Sequence, residues 1–463
     1  MKKINHKKWA IRAMMAAGML SVGAMAGSAQ AQVIEVNMGG ASAGTPFASE
    51  VPLSLCNAAP LPVHYVNGPI PSSGTVTIAS GKLHTWVCQR TVGGVTEDII
   101  VRYSATGSSD GVKRLKQPES DPLSNMNFLD HVAAAGCVGP VLKTRPSDSK
   151  QYNEFTGCTG ATLADATNPL PVKIGWSDVA GSSFHQTGPI TTTVLPIDQS
   201  ALISTQVAIV PFAIVVGNGV YRIDPATNLT LGPVENLSQP QVESLLSRQV
   251  TDWRQLGLGT APVGSPVGTA ADATSPVTLC LRKAGSGTKA ALDETVMVTA
   301  VEWPSGSSSL TNPADGVYFG ESNQDVRDCI QGDAAAGRPA HIRGVGYMEG
   351  DQAALVTGGS IVKLDGYRSH DPSLPIADRK KDLLCGKFVY WVGERMNTRN
   401  PSSADLDTAT LISDLISTSA DAATIGILPA GAFWAAPGSM NVFKNADKGP
   451  INFKSAPVPY GGC

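Results

Sequence analysis

The chain has 463 residues, 42% hydrophobic and 16% charged, so it can bury a large core, and two or three domains are expected. Its formal charge of −3 excludes a general nucleic-acid binder, which needs a basic face. Forty-eight glycines and 32 prolines point to many turns and a loop-rich surface.

Residues 1–31 read as a secretory signal. Lys2, Lys3, Lys7, Lys8 and Arg12 form a basic front, Ala13 to Ala26 an apolar run, and Ala29-Gln30-Ala31 a small-residue cleavage site. Removing this segment leaves 30 basic against 38 acidic residues, a formal charge of −8. No cysteine follows the cleavage point to carry a lipid, and Pro, Gly or charge interrupts every later apolar run. The expected location is therefore periplasmic or secreted. Eight cysteines remain: Cys56, Cys88, Cys137, Cys158, Cys280, Cys329, Cys385 and Cys463. An even count in an oxidising compartment implies four disulfides. Chain proximity selects Cys56–Cys88, Cys137–Cys158, Cys280–Cys329 and Cys385–Cys463 from about 105 pairings. No C-x-x-C occurs, so zinc ribbons and haem attachment are unsupported, and no cofactor or metal is implied.

Along the chain, residues 33–40 (VIEVNMGG) read as a strand entering a glycine turn, with a short helix in 40–51. Residues 57–82 read as irregular. Residues 98–115 read as strand, small-residue turn and helix; residues 117–172 hold few strong patterns. Residues 172–181 read as a strand ending at Trp176-Ser177-Asp178. Residues 206–218 (QVAIVPFAIVVGN), the most apolar stretch, predict a buried strand broken at Pro211. Residues 237–257 predict a helix from near Ser238 to a tryptophan-bearing turn. Strand, turn and helix recur at 277–298 and at 344–356. Residues 387–396 read as a strand and 404–418 as a helix. The alternation argues for an α/β architecture with mostly parallel sheets.

Two turns carry the chemistry. Gly285-Ser286-Gly287-Thr288 follows a strand ending at Arg282 and opens a helix-like run, Lys289 to Val298. Its backbone N–H groups and the positive end of the helix dipole face outward, Ser286 and Thr288 add hydroxyl donors, and Arg282 offers a two-pronged guanidinium. That combination suits a tetrahedral oxyanion. Gly107-Ser108-Ser109-Asp110-Gly111 is built alike. Asp178 sits at a strand end, where open α/β sheets place ligands. Taken singly, each turn is an ordinary helix cap and Asp178 a turn aspartate. No G-x-S-x-G surrounds Ser108 or Ser286, and the histidines are scattered without an H-E-x-x-H.

The order of these pieces resembles the phosphate-type periplasmic solute-binding proteins of ABC importers. The matching stretches are Thr45-Pro46-Phe47, Tyr103 with Gly107-Ser108-Ser109, Ser177-Asp178, Arg282 with Gly285 to Thr288, and Gly346-Tyr347-Met348-Glu349. Val250 to Trp253 resembles a further family segment. The resemblance implies a bilobed periplasmic-binding-protein fold of type II, two α/β lobes with a hinge, plus disulfide-stapled inserts. It implies lobe I over residues 32–210 and 389–463, with inserts 52–97 and 117–172, and lobe II over 211–388. Hinge crossings fall near Ile209 to Val216 and Lys387 to Val392. It carries ligand contact onto Thr45, Phe47 (through its backbone N–H), Ser108, Asp178, Arg282, Ser286, Gly287 and Thr288; Ser109 and Asp110 share the second turn.

This sequence departs from the family pattern at two points. Pro46 separates Thr45 from Phe47, and Ala284 stands where an aspartate usually follows the arginine. Asp110 is the nearest replacement by sequence for the lost proton acceptor. The resulting expectation is a binder, not an enzyme, for phosphate or a similar tetrahedral oxyanion, with an ABC importer membrane complex as the implied partner and no nucleic acid. Arg282 and Asp178 are expected to form the charged pair that anchors the anion. The alternatives are an extracellular structural or adhesive protein that keeps the fold without the ligand, and a phosphate-ester hydrolase.

Overall fold

A computed structural model describes residues 33–463 except 72–76, 79–80, 133–135, 160, 163–169, 186–193, 299–301, 304–315, 336, 401–405 and 456–461. The signal expected over 1–31 lies outside the described residues. The centre of the molecule is a 13-stranded mixed sheet. Its strands are β1 (Val33–Gly40), β2 (Val63–Asn67), β3 (Leu83–Val92), β4 (Val95–Ala105), β5 (Val138–Thr144), β6 (Gln151–Cys158), β7 (Ile174–Ser177), β8 (Leu202–Gly217), β9 (Thr278–Arg282), β10 (Val317–Gly320), β11 (Gly344–Glu349), β12 (Gly359–Ile361) and β13 (Trp391–Arg399). The spatial order is β10-β9-β11-β8-β13-β7-β1-β4-β3-β2-β6-β5, with β12 also on β8. The helices around it include α1 (Thr45–Leu55), α2 (Ser108–Lys116), α3 (Gln239–Leu246), α4 (Gly287–Thr295), α5 (Asn323–Gln331) and α6 (Leu406–Ala420).

Strand β8 organises the sheet. Every residue from Val207 to Gly217 is buried, as a continuous apolar run requires. Its first part pairs with β13 as far as Pro211↔Trp391, and its second part pairs with β11 from Phe212↔Glu349. The break predicted at Pro211 does not occur. The proline sits where the strand changes partner, so its missing N–H interrupts no continuous ladder. On one side β7, β1 and β4 run parallel; on the other β11, β9 and β10 run parallel. β13 is antiparallel to β7, and β8 is antiparallel to both β13 and β11. The two parallel sets therefore point toward each other, and their carboxyl ends meet at the middle of β8.

The expectation of mostly parallel sheets is corrected, because β8 and β13 run antiparallel to their neighbours and the inserts add further antiparallel pairs. Val63–Asn67, inside the stretch read as irregular, pairs antiparallel with β3 and parallel with β6. β5 closes the edge as a hairpin with β6. These strands are too short, and too closely flanked by Pro, Gly and Ser, to show a clear period in the sequence. Other boundaries shift as well. The helix expected over 237–257 stops at Leu246, because Arg248 takes a positive φ of 64°. Ser238 caps it with a full capping box. β13 begins at Trp391, not Lys387. The helix read over 404–418 is described from Leu406 and runs on to Ala420; its first two residues lie outside the described residues.

Cys56–Cys88, Cys137–Cys158, Cys280–Cys329 and Cys385–Cys463 are bonded, and no described cysteine is free. The first ties α1 to β3 and the second ties off the β5–β6 hairpin. Trp86, Trp176, Trp253, Trp391 and Trp434 are all fully buried. Phe47 packs against Trp176 and Trp434, with centroids 4.9 and 5.5 Å away. No helix among the described residues is long and apolar enough to cross a membrane.

Candidate functional site

The two donor-rich turns lie at the strand ends that converge on β8. β4 ends at Ala105, and its chain enters α2 through Gly107; Thr106 and Gly107 both donate to the carbonyl of Gly40, at the end of β1. β9 ends at Arg282, and its chain enters α4, which Ser286 caps by accepting from the Lys289 N–H at 3.3 Å. The turns come from opposite ends of the sheet and touch: the Ser109 N–H donates to the Gly285 carbonyl at 3.4 Å.

Gly287 marks the tightest point. A Cβ there would stand 2.0 Å from Asp178 Oδ2 and 2.3 Å from Ser108 Oγ, distances no side chain tolerates. Only glycine lets the start of α4 approach these two groups. Gly285, with φ of +83°, makes the turn that precedes it. Ser108 donates to Asp178 Oδ2 at 2.9 Å, and both are buried. Asp178 Oδ1 is buried with no donor.

Arg282 is also buried. Nη1 donates to Thr288 Oγ1 at 3.1 Å and to Asn323 Oδ1 at 2.5 Å, and Nη2 donates to the Glu321 carbonyl at 3.1 Å. Nε is buried and unpartnered. Its backbone N–H donates to the Tyr347 hydroxyl, which donates in turn to Glu302. Ala284 offers no carboxylate to hold the guanidinium, and Asn323 at the start of α5 does so instead. Asn323 Nδ2 donates to Glu349 Oε1 at 2.6 Å, and Ser42 Oγ reaches the same oxygen at 3.3 Å from the other half of the sheet.

Several expected features fall differently. Among the described residues no ion pair joins Arg282 to Asp178; each is held by its own neighbours. Asp110 is half-buried in the first turn of α2, and its side chain caps nothing: the N-cap position is Gly107. Thr45 and Phe47 open α1, with Pro46 in the first turn where its missing N–H costs no helix bond. Phe47 is buried among the tryptophans.

The electrostatics are dominated by buried carboxyls. Burial pushes Glu349 up to about 8, with Asp351 and Asp178 adding to the rise. Burial also lifts Glu394 well above the carboxylate range, helped by the charge of Asp178 and a hydrogen bond to it. Both shifts favour the protonated carboxyl. Lys82 is a further cation. It precedes β3 at the end of β4, where the Ala105 N–H donates to its carbonyl. Burial lowers its pKa first and the nearby charge of Arg282 second, while Glu349, Asp325 and Glu321 act in the opposite direction.

Sequence reasoning did not assign Asn323, Glu349, Glu394 or Lys82 to the site. Glu349 stood in a quoted motif, Gly346 to Glu349. Lys82 is the lone lysine before a strand in an insert. Asn323 and Glu394 carried no signal that singled them out.

A family model described as a PBP superfamily domain matches residues 68–337, more than half of the chain. No curated protein matches. Solved structures with some likeness include one from Clostridium perfringens, described as a phosphate ABC transporter substrate-binding protein with bound phosphate. It is 12% identical, with 87% of this chain and 99% of that chain covered and a TM-score of 0.44. An ABC-type phosphate transport receptor from Vibrio cholerae is 13% identical over 85% of this chain and 98% of its own, with a TM-score of 0.41. PstS from Borrelia burgdorferi is 11% identical over 87% and 98%, with a TM-score of 0.36.

Proposed function

The chain belongs to the PBP superfamily, and on that premise we propose that it is an exported solute-binding protein for a tetrahedral oxyanion, inorganic phosphate first. The observation that carries this reading is the meeting of two helix N-termini from opposite ends of the sheet beside Arg282, whose buried Nε has no partner. Backbone N–H groups at helix starts, serine and threonine hydroxyls and one guanidinium form a donor set for an oxyanion. Asp178 supplies the complement, an acceptor for the proton that hydrogen phosphate carries and sulfate lacks.

In this reading residues 32–210 with 389–463 form one lobe and 211–388 the other, and β8 and β13 are the hinge crossings. Ligand binding closes the lobes by hinge motion. The bonds that cross between them, Ser109 to Gly285, Ser42 to Glu349 and Tyr390 to the Thr288 carbonyl at 3.4 Å, are those of the closed state. The four disulfides fit an oxidising compartment, and a cleaved signal over residues 1–31 delivers the chain there. The partner that receives the anion is an ABC importer membrane complex. In this reading the groups around the cleft hold the anion and one another, which is the role of a binder.

A second reading, an extracellular structural or adhesive protein, draws on one observation. The edge strand β5 is exposed along its whole length and puts Val138, Val141 and Leu142 in water. Titration calorimetry of the exported protein with phosphate and with sulfate decides between the readings. Phosphate binding with weaker sulfate binding is the expected result; no heat from either anion favours the structural protein.

A further inference from the structure

One buried group near the site has no partner that its ionised form could use. Glu394 lies on β13 and is 0% exposed. Neither of its oxygens meets a donor. Strand register explains its surroundings. β7 pairs antiparallel with β13, with Trp176 opposite Met396 and Ser177 opposite Arg395. One step further places Asp178 opposite Glu394, and residues directly opposite in such a pair share a face. On the other side of β13, Glu394 pairs with Ala208 of β8, which offers no polar side chain.

The charged and titratable groups acting on Glu394 come from each packed element. Asp178 faces it from the end of β7, Glu349 from β11 and Tyr103 from β4, and Arg395 is its chain neighbour. Arg395 pairs with Asp447 at 3.5 Å. Arg395 acts on Glu394 only through its charge, and among the described residues no ion pair compensates Glu394. Two carboxyl groups in contact can bond only if one of them keeps its proton, and the uncompensated, fully buried one is Glu394.

We propose that Glu394 is a positioning residue for the anion site: it stays protonated, donates to Asp178, and so presents Asp178 to the ligand as the single charged acceptor on the cleft floor. The role rests on the oxyanion reading above. Asp178 then accepts from Ser108 on one oxygen, and Glu394 and the proton of hydrogen phosphate share the other. When Glu394 ionises, two buried carboxylates repel each other and the anion. The site is thereby tied to pH through a hinge-strand residue that touches no ligand.

The test compares wild type with Glu394→Gln, whose amide keeps the shape and the donor but cannot ionise. Calorimetry with phosphate is run on both proteins at matched pH from 6 to 9, so that the ionisation of phosphate itself cancels. Near neutrality the two affinities should agree within about threefold. Above the pKa of Glu394, wild type should fall behind the variant by about tenfold per pH unit. A second arm, melting without ligand, reads the proton directly. A carboxyl whose folded pKa is raised stabilises fully below its unfolded value near 4.5 and loses that contribution as pH rises through the folded value. The variant should therefore match wild type near pH 4 and melt higher with increasing pH. Parallel affinity profiles together with parallel melting profiles, or an affinity loss in Glu394→Gln that does not vary with pH, overturn the proposal. Absence of phosphate binding in wild type overturns the oxyanion reading and the positioning role with it; the melting arm then reports on the acid pair alone, so the two failures separate.

Discussion

The turn before α2 and the turn before α4 use the same small residues in the same place, a strand end opening a helix. They are supported in opposite ways. The α4 turn is backed by Arg282, which Thr288, Asn323 and the Glu321 carbonyl hold in place. The α2 turn is backed by a carboxyl instead: its Ser108 donates to Asp178. One turn thus brings positive charge and the other a proton acceptor. An oxyanion that carries a proton needs both, and one that carries none is repelled by the second.

The largest effect should follow from removing the cation. Arg282→Ala leaves Asp178 beside the anion with no compensating charge and frees Asn323 and the Glu321 carbonyl of their donor. The expected loss of phosphate affinity is about 2–5 kcal/mol, the range for breaking a buried hydrogen-bonded charge pair. Arg282→Lys should recover little, because a point charge cannot serve Thr288, Asn323 and Glu321 as a fork does. Unchanged calorimetric affinity in Arg282→Ala would place the site elsewhere.

The support behind Arg282 should be visible as pH dependence. Glu349 holds Asn323, and burial followed by Asp351 and Asp178 raises it from 4.5 to about 8. A raised carboxyl contributes stability below pH 4.5 and loses it as pH rises through about 8. Glu349→Gln keeps the acceptor for Asn323 without the titration. Its melting temperature should match wild type near pH 4 and exceed it above pH 8, by an amount on the order of 5 kcal/mol in stability. A constant gap across that window would mean that Glu349 does not titrate there.

Gly287 is where the two turns meet, so it tests the comparison itself. A methyl group at this position overlaps Asp178 and Ser108. Gly287→Ala should cost about 1–3 kcal/mol of phosphate affinity, as overpacking does, with the loss appearing in binding and in small-angle scattering of the ligand-bound form as a more open particle. Gly107→Ala is the counterpart on the α2 side, where the nearest atom to a Cβ is 3.8 Å away and only the φ of +144° objects. It should weaken folding more than binding. If both glycines behave alike, the approach at Gly287 is not what brings the turns together.

Much of this site was legible before the fold was known, and the reason is local. Turn composition, a strand end and an arginine lie within a few residues of each other at Arg282 to Thr288, and again at Tyr103 to Gly111. What was not legible depends on register between distant segments. Asp178 and Glu394 meet because β7 and β13 pair at Ser177↔Arg395, and neither segment records the other. Asn323 replaces the aspartate missing at 284 from a helix some 40 residues later, by a contact at 2.5 Å. A proline lacks a donor, so Pro211 suggests a break in sequence; the change of partner on β8 removes that conflict. The inserts looked irregular because strands such as Val63–Asn67 are stabilised by the neighbours they pair with rather than by a long pattern of their own.

The smallest effect should come from Asp110, the residue that sequence alone nominated as the proton acceptor. It stands three residues after Gly107 in the first turn of α2, half-buried. An acid there interacts with the positive end of the helix dipole, a contribution of about 0.3–1 kcal/mol. Asp178 differs in the respects that matter. It is buried, already bonded to Ser108 at 2.9 Å, and its Oδ2 lies at the point where Gly287 closes in. A buried, fixed acceptor discriminates by leaving a mismatch in the wrong complex, whereas an acceptor open to water can be solvated around the mismatch. Asp110→Ala should therefore lower stability by about 0.3–1 kcal/mol and leave the ratio of phosphate to sulfate affinity unchanged. Asp178→Asn should bring the two affinities together, since an amide can donate to sulfate as well as accept from hydrogen phosphate. Competition titrations of each anion against the other measure the ratio directly. Should Asp110→Ala equalise the anions while Asp178→Asn does not, the acceptor lies on the α2 turn itself, and the division of labour between the two turns would have to be drawn the other way.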